Sequence, residues 1–469
     1  MGLFGCSFSC LPMDILLEIL GHLPAEDIIR SRQVCRRLSF VSYQRSIWVR
    51  AYERSKLLLP EGPLSSHSSV QLENLLIKAA KVHKNWTSPN STVFEQRRFT
   101  RELPTYDFDA DVISGRFLQL ALHDGISWYD LDSSDINTPI LTYPCRTVLP
   151  MSGYLNYQVN ANGEGPDVVW VTFACQRPKR IVLLKVNFGK SGYKVKLHAE
   201  IPAGNITSMR MDHDWILPIR EFGSPDDPMD LYHIPSRSIV YIPMHENVQT
   251  LSDLSNMNYA ITSRYLFLLF SLRDETLVDV YTLPKRMDTA PPNTMHPRRL
   301  IRSHTGVYPH AISKIQVLET SSDTRLRTYN PLSKVDDIRV SFLALAYVNH
   351  SPTSWTSKIG LHVLDAHVHC TGMLTFITQS GRTLNVGMTN TMLALSTRSG
   401  KCLAVTHSMP GSVLLAHSIT REESGCTMSV KAIDLPKGLQ TRDILAFDGF
   451  RGRLCLINGW TKFDILDCV

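Results

Sequence analysis

From about residue 110 to the C-terminus, apolar runs of five to seven residues come in pairs, each pair split by a polar turn. The clearest pairs are 114–120 with 126–132, reading Ser-Gly-Arg-Phe-Leu-Gln-Leu and Ile-Ser-Trp-Tyr-Asp-Leu-Asp, and 451–457 with 463–467. Weaker copies are 168–173 with 181–186, 215–219 with 231–234, 264–270 with 277–281, and 342–348 with 360–365. A further pair is expected at 392–396 and 413–416. One hairpin cannot bury its own apolar face, so neighbouring copies must stack to make a core. A chain of 469 residues is also too long for one compact core.

About seven hairpins at a period of roughly fifty residues is the spacing of a β-propeller blade of four strands. The expected fold class is therefore α+β and multidomain, with a large all-β body over 111–469, a degenerate β-propeller of about seven blades. None of the seven Trp residues is followed by Asp, so the usual blade signature is missing. A pair of β-sandwiches or an irregular all-β array would use the same strands.

The first fifty residues have a different texture. Residues 11–24 read Leu-Pro-Met-Asp-Ile-Leu-Leu-Glu-Ile-Leu-Gly-His-Leu-Pro. Pro12 suits a first helical turn, and Asp14 complements the positive end of the helix dipole. Ile15, Leu16, Ile19, Leu20 and Leu23 recur at helical spacing over a wide apolar face. Gly21 is placed to end that helix, and Pro24 opens a second with Glu26 and Asp27 in its first turn. Ile28, Ile29, Val34, Cys35 and Leu38 continue the apolar pattern. A piece of about forty residues cannot bury both faces itself, so part of this surface is expected to face a partner.

Leu11-Pro12, the 15–23 run, Asp27-Ile28-Ile29, Val34-Cys35-Arg36-Arg37 and Ile47-Trp48 together resemble an F-box. One departure is Leu38, where that family more often carries an aromatic. The resemblance implies a three-helix module that docks on the Skp adaptor of a cullin–RING ubiquitin ligase. It implies an adaptor face drawn from Leu11, Pro12, Ile15, Leu16, Ile19, Leu20, Leu23, Ile28, Val34, Cys35, Leu38 and Trp48. The expected organisation is a tail at 1–10, the F-box at 11–55, and a linker at 56–110 with a connector helix at 70–86. Leu72, Leu75, Leu76, Ala79, Ala80 and Val82 share one face of that helix. Its Asn85-Trp86 ending resembles the helix that joins an F-box to a propeller in several F-box receptors.

Chemistry-bearing motifs are sparse. The chain has no Walker loop, no dinucleotide-binding glycine loop, no His-Glu-x-x-His and no Cys-x-x-Cys. His362, His367, His369 and Cys370 are the best metal-like cluster, but they lack a second ligand pair at fixed spacing. Asp212-His213-Asp214 and Asp226-Asp227 read as solvated turns. No catalytic residue, metal or cofactor is therefore expected. The net charge of +6 is mild for this length, and the short basic clusters at 97–98, 179–180 and 298–302 read as solvated surface. Arg177, Lys179 and Arg180 form the most exposed-looking basic loop, and clustered Arg is what reading a phosphorylated degron requires. No nucleic acid partner is expected, and without an apolar run of 18 residues no membrane span is expected.

The N-terminal Met1-Gly2-Leu3-Phe4-Gly5-Cys6 lacks a basic leader and places Cys6 where a myristoylation motif needs Ser or Thr. Ten scattered Cys fit a reducing compartment, the cytosol, the nucleus or both. The resemblance implies a non-catalytic substrate receptor, with the Skp-type adaptor bound directly, cullin bound indirectly, and an unknown substrate protein on the β-body. A scaffold that binds the adaptor without cullin, and a ligand-binding or enzymatic propeller with a vestigial F-box, remain open alternatives.

Overall fold

The computed structural model describes residues 11–55, 57–60, 62–88, 94–100, 108–122, 124–145, 156–159, 167–189, 192–204, 206–212, 214–220, 229–243, 257–262, 264–272, 275–284, 298–320, 338–349, 358–368, 373–384, 392–398, 401–408, 413–422, 425–435, 443–458 and 462–468. Among the described residues, helices fall only at the N-terminal end. They are α1 (Met13–Gly21), α2 (Ala25–Ser31), α3 (Arg36–Ser42), α4 (Arg45–Arg54) and α5 (Ser69–Thr87). Four helical segments, rather than three, precede the connector. The Cys35 Sγ accepts the Leu38 N–H and caps α3, and extended backbone at Gln44 separates α3 from α4. Around α5 a capping box pairs Ser68 and Gln71, satisfying two N-terminal backbone donors.

The remaining elements of the described residues form seven sheets. The first strand, β1 (Phe94–Thr100), belongs to the last of them. Blade 1 holds β2 (Asp109–Ile113), β3 (Phe117–Leu122), β4 (Gly125–Asp130) and β5 (Leu141–Pro144). Blade 2 holds β6 (Asn156–Val159), β7 (Val168–Gln176), β8 (Lys179–Asn187) and β9 (Lys194–Pro202). Blade 3 holds β10 (Ile206–Asp212), β11 (Trp215–Arg220), β12 (Met229–His233) and β13 (Ser238–Ile242), with β17 (Arg298–Arg299) added in parallel. Blade 4 holds β14 (Met257–Ile261), β15 (Tyr265–Ser271), β16 (Thr276–Thr282) and β18 (Arg302–Tyr308). Blade 5 holds β19 (Ala311–Thr320), β20 (Ile338–Asn349), β21 (Lys358–Val368) and β22 (Leu374–Leu384). Blade 6 holds β23 (Met392–Arg398), β24 (Lys401–Ser408), β25 (Val413–Glu422) and β26 (Gly425–Ile433). Blade 7 holds β27 (Asp443–Asp448), β28 (Arg453–Asn458), β29 (Lys462–Cys468) and, outermost, β1.

Within blades every neighbouring pair of the four main strands is antiparallel. First strands of adjacent blades lie side by side, as β27 does with β2, β6 with β10, β14 with β19 and β23 with β27. This is a seven-bladed propeller. Six expected hairpins are the second and third strands of their blades. These strands are covered on both faces, so β3 and β4 are buried along their whole length, and the apolar signal is continuous. The expected pairing of 392–396 with 413–416 is not formed: β24 lies between β23 and β25 and pairs with both. Outer strands carry little apolar signal, and β9 alternates irregularly with mostly exposed or half-buried positions.

Five of the seven third strands share a second feature. Asp130 on β4, Asp230 on β12, Asp279 on β16, Asp365 on β21 and Asp464 on β29 are all buried. A buried carboxylate needs partners. Arg116 supplies a two-point contact to Asp130 at 2.9 and 2.6 Å, Ser341 donates to Asp365 at 2.5 Å, and Arg98 donates to Asp464 at 2.9 Å.

The linker expected over 56–110 is in part a blade strand. Residues 94–100 cross back and pair along the whole of β29, from Phe94 opposite Cys468 to Thr100 opposite Lys462. The seven-residue sequence Phe-Glu-Gln-Arg-Arg-Phe-Thr is too polar to read as a core strand. Its arginines, expected at solvated surface, are spent on ring closure. Arg97 pairs with Asp467 and donates to the Leu131 carbonyl. Arg453, 5% exposed, donates to Asp467 at 2.5 and 3.1 Å, to Asp132 at 3.0 Å and to the Gly115 carbonyl at 2.5 Å. Arg451 donates to Asp132 at 2.5 Å. Gly115 has a φ of +62° and no room for a Cβ beside Asp448, so only glycine fits this junction. The network ties blade 7 to blade 1.

Candidate functional site

The helical module has its own core. Leu16, Leu20, Ile28, Leu38, Val41, Ile47 and Trp48 pack together with Ala25, Ala51 and Tyr52. Trp48 Nε1 donates to the Ser42 carbonyl at 2.8 Å, so the buried indole is satisfied inside the module. Five of the residues expected at the adaptor face are therefore internal: Leu16, Leu20, Ile28, Leu38 and Trp48. A side chain covered by its own module cannot also cover a partner. Leu11, Leu23 and Cys35 are half-buried and pack against the edge of this core.

The outward residues are Pro12, Ile15, Ile19 and Val34. Ile15 is 47% exposed, Ile19 38% and Val34 69%, while Leu16 and Leu20 are 1% and 2% exposed. α1 thus carries two adjacent apolar stripes, one covered and the other not. Met13, Phe40 and Tyr43 are also exposed apolar or aromatic side chains of this module. Sequence periodicity does not single them out, because Phe40 and Tyr43 lie in a stretch that reads as polar. Arg37 donates to the Leu11 carbonyl at 2.5 Å and fixes the start of α1 against α3. Glu18 lies on the exposed side of α1 with His22, Arg50 and Arg54 around it, and Arg50 holds its carboxyl below the usual range.

α5 enters two cores. Leu72, Leu76 and Ala79 pack in the helical module. Further along, Val82 and Trp86 pack between blades 6 and 7 with Leu414, Ala416, Leu454, Leu456 and Leu466. Trp86 meets Phe447 edge to face at 5.3 Å. The preceding segment is divided in the same way: Leu58 belongs to the core of the β-body and Leu59 to that of the module. Arg32 closes the joint from the module side. It makes a two-point contact to Glu73 at 2.8 and 2.7 Å, donates to Ser42 at 2.9 Å, and lies 4.2 Å from the centre of the Tyr43 ring. Lys431 donates to the Asn85 carbonyl at 3.2 Å from the body side. Arg45 holds the loop before α5 through the carbonyls of Leu64 and His67.

The other candidate chemistry is dispersed. His362 is buried in blade 5 and shares a 2.7 Å hydrogen bond with Tyr308. Burial, then the nearby His310, pushes its pKa down. His369, Cys370, His213, Asp226 and Asp227 lie outside the described residues. Among the described residues, no group of three or more His, Cys, Asp or Glu is placed to hold a metal ion. No described helix is long and apolar enough to cross a membrane. Arg180 pairs with Glu200 at 2.9 Å, so that member of the basic loop is not a free solvated charge. Arg302 is 3.5 Å from Asp279.

Residues 8–54 match the F-box-like family model. Comparison with curated proteins gives no match. The structure is similar to the WD40 domain of SCAP from fission yeast, with 12% identity, 77% of this chain and 84% of that chain covered, and a TM-score of 0.44. It is similar to a hypothetical selenium-binding protein from Sulfolobus tokodaii at 11% identity, with 68% and 76% covered and a TM-score of 0.34. It is also similar to the β-propeller domain of the Trilobed protease from Pyrococcus furiosus at 7% identity, with 71% and 97% covered and a TM-score of 0.30. The chain carries an F-box-like module at its N-terminal end, joined by a helix to a seven-bladed β-propeller body.

Proposed function

We propose that this protein is the substrate-recognition subunit of a Skp–cullin–F-box ubiquitin ligase. The observation that carries the proposal is the uncovered stripe of α1, Ile15 with Ile19, in a module that matches the F-box-like model. An exposed apolar patch on a small module marks a surface that a partner covers. In this reading the Skp-type adaptor covers Pro12, Ile15, Ile19 and Val34, with Leu11, Leu23 and Cys35 at the edge.

The protein supplies no bond-making group. Its contribution is position. Cullin is reached through the adaptor, and a substrate protein rests on the propeller. The shared cores of α5 fix the distance between the two. A substrate lysine held near the ligase-bound ubiquitin conjugate reacts at a high effective concentration, and its ubiquitination marks the substrate for degradation. The protein works in the cytosol, the nucleus or both in this reading. A Gly/Ser insertion near Pro60 is expected to lower ubiquitination while substrate binding stays constant.

The test is a pull-down of the tagged full chain with purified Skp adaptor and cullin, beside an Ile15→Asp/Ile19→Asp control. The proposal predicts that both partners come down with the native chain and neither with the control. Adaptor without cullin would favour a scaffold, and neither partner would refute the assignment.

A further inference from the structure

Between blades 2 and 3 lies a cleft of about 390 Å³ lined by Trp170, Lys185, Asn187, Lys194, Lys196 and His198, with Ile234 and Pro235 as its apolar wall. Strand register explains the lining. Trp170 on β7 is opposite Lys185 on β8, and Lys185 is opposite Lys196 on β9. Asn187 is opposite Lys194 one pleat further on. Residues opposite one another, and residues two apart, share a face. One face of the outer half of blade 2 therefore presents three ammonium groups and an indole. The register shift beside Leu184 leaves His198 as an extra residue on β9, and its ring meets Trp170 edge-on at 4.4 Å.

Two features are costly for folding alone. Like charges directly opposite across a ladder are destabilising, and Lys185 and Lys196 are such a pair. Trp170 is 2% exposed, and its Nε1–H has no hydrogen-bond partner. A buried indole donor is normally satisfied. No carboxylate is among the described lining residues. Asn187 Oδ1 already accepts the Gly189 N–H at 2.7 Å, so its remaining hydrogen-bonding end is a donor. The cleft is thus rich in donors and positive charge and poor in acceptors.

We propose that this cleft binds an extended acidic peptide, with carboxylate or phosphate groups on alternating residues. Lys194 and Lys196 stand about 7 Å apart along one face of an outer strand. An extended peptide presents side chains of alternate residues at that same spacing. Lys185 supplies the third charge, and Ile234 and Pro235 receive the apolar part of the ligand. A single-stranded nucleic acid would need an open aromatic face for stacking. Trp170 is buried with His198 against it and offers none. The cleft is remote in sequence from the F-box-like module, and its assignment stands or falls without the adaptor reading.

The test is fluorescence anisotropy on the full chain with a labelled peptide of alternating Glu and Gly. Matching phosphoserine–Gly and Gln–Gly peptides, inorganic phosphate and an oligothymidine are run beside it. Lys185→Gln/Lys196→Gln should weaken the Glu peptide by about tenfold or more, because each lost contact is charge-assisted. Lys81→Gln/Lys84→Gln on the exposed side of α5 should leave binding within about twofold, the size expected of a remote surface change. The cleft variant should still unfold in one cooperative transition, so that lost binding is not lost fold. Tighter binding of the phosphoserine peptide would assign the ligand to phosphorylated segments, and equal binding to carboxylates. Equal binding of the Gln peptide, an unaffected cleft variant, capture of phosphate but no peptide, or oligothymidine binding abolished by the cleft variant would each overturn the proposal.

Discussion

The two ends of the described chain are closed by opposite means. The helical module is held by apolar packing, and apolar surface is left over at Ile15, Ile19, Val34 and Phe40. The seam between blades 7 and 1 is held by charge, and its arginines have partners: Arg97 and Arg453 on Asp467, Arg451 on Asp132, Arg116 on Asp130. Leftover apolar surface points to a second molecule. An ion network beside Phe99 and Phe463 points inward, to the two strands that close one ring. α5 separates these regimes, since its first half serves the module and its second half serves the ring.

The largest expected effect comes from breaking that division. Trp86→Ala removes a buried indole and should cost about 3–5 kcal/mol in the denaturation of the β-body. The helical module should still fold, which circular dichroism of the helical transition would report. Loss of both transitions together would mean that the two cores are one.

Arg453→Gln leaves Asp467 with Arg97 as its remaining cation and should destabilise the ring by about 3 kcal/mol. Hydrogen exchange of the β1 amides should rise before that of β15 or β16. A uniform rise across blades would place Arg453 outside the closure.

Next in size is the joint. Glu73→Gln leaves Arg32 with a weaker partner and should cost about 2 kcal/mol, visible as a lower urea midpoint. No change would show that Arg32 is held by Tyr43 and Ser42 alone.

Acid gives a smaller and graded effect. Burial alone would raise the Asp467 carboxyl, but Arg453 and Arg97 outweigh it and hold it below the usual range. Asp132 is likewise raised by burial and lowered further by Arg451 and Arg453. Groups with depressed folded-state pKa values add stability above about pH 4, and that stability is lost as pH falls through the folded values. The urea midpoint should fall over that window and be flat above it. An equal fall in Arg453→Gln would detach the effect from this network.

Legibility followed burial. Six hairpins could be read because second and third strands are covered on both faces, as in Tyr-Leu-Phe-Leu-Leu-Phe-Ser of β15. β1 could not, because an outer strand that meets acidic partners is polar on its own. Fifteen to twenty-three read as one broad apolar helix, but periodicity cannot say which stripe its own module covers. That decision belongs to α3 and α4, which take Leu16 and Leu20 and leave Ile15 and Ile19. The cleft of Trp170 and Lys196 escaped the sequence for another reason: its residues are 26 apart in the chain and become neighbours only through the β7–β8–β9 register.

The most direct test of the central claim pairs two measurements on the same proteins. Calorimetric titration of purified Skp adaptor into the parent chain and into Ile15→Asp/Ile19→Asp would be run beside thermal unfolding of each. Binding by the parent and none by the variant is expected, with stability changed by no more than about 1 kcal/mol, about 0.5 for each surface position. Retained binding would contradict the adaptor face, and a collapsed helical transition would show these isoleucines to be core.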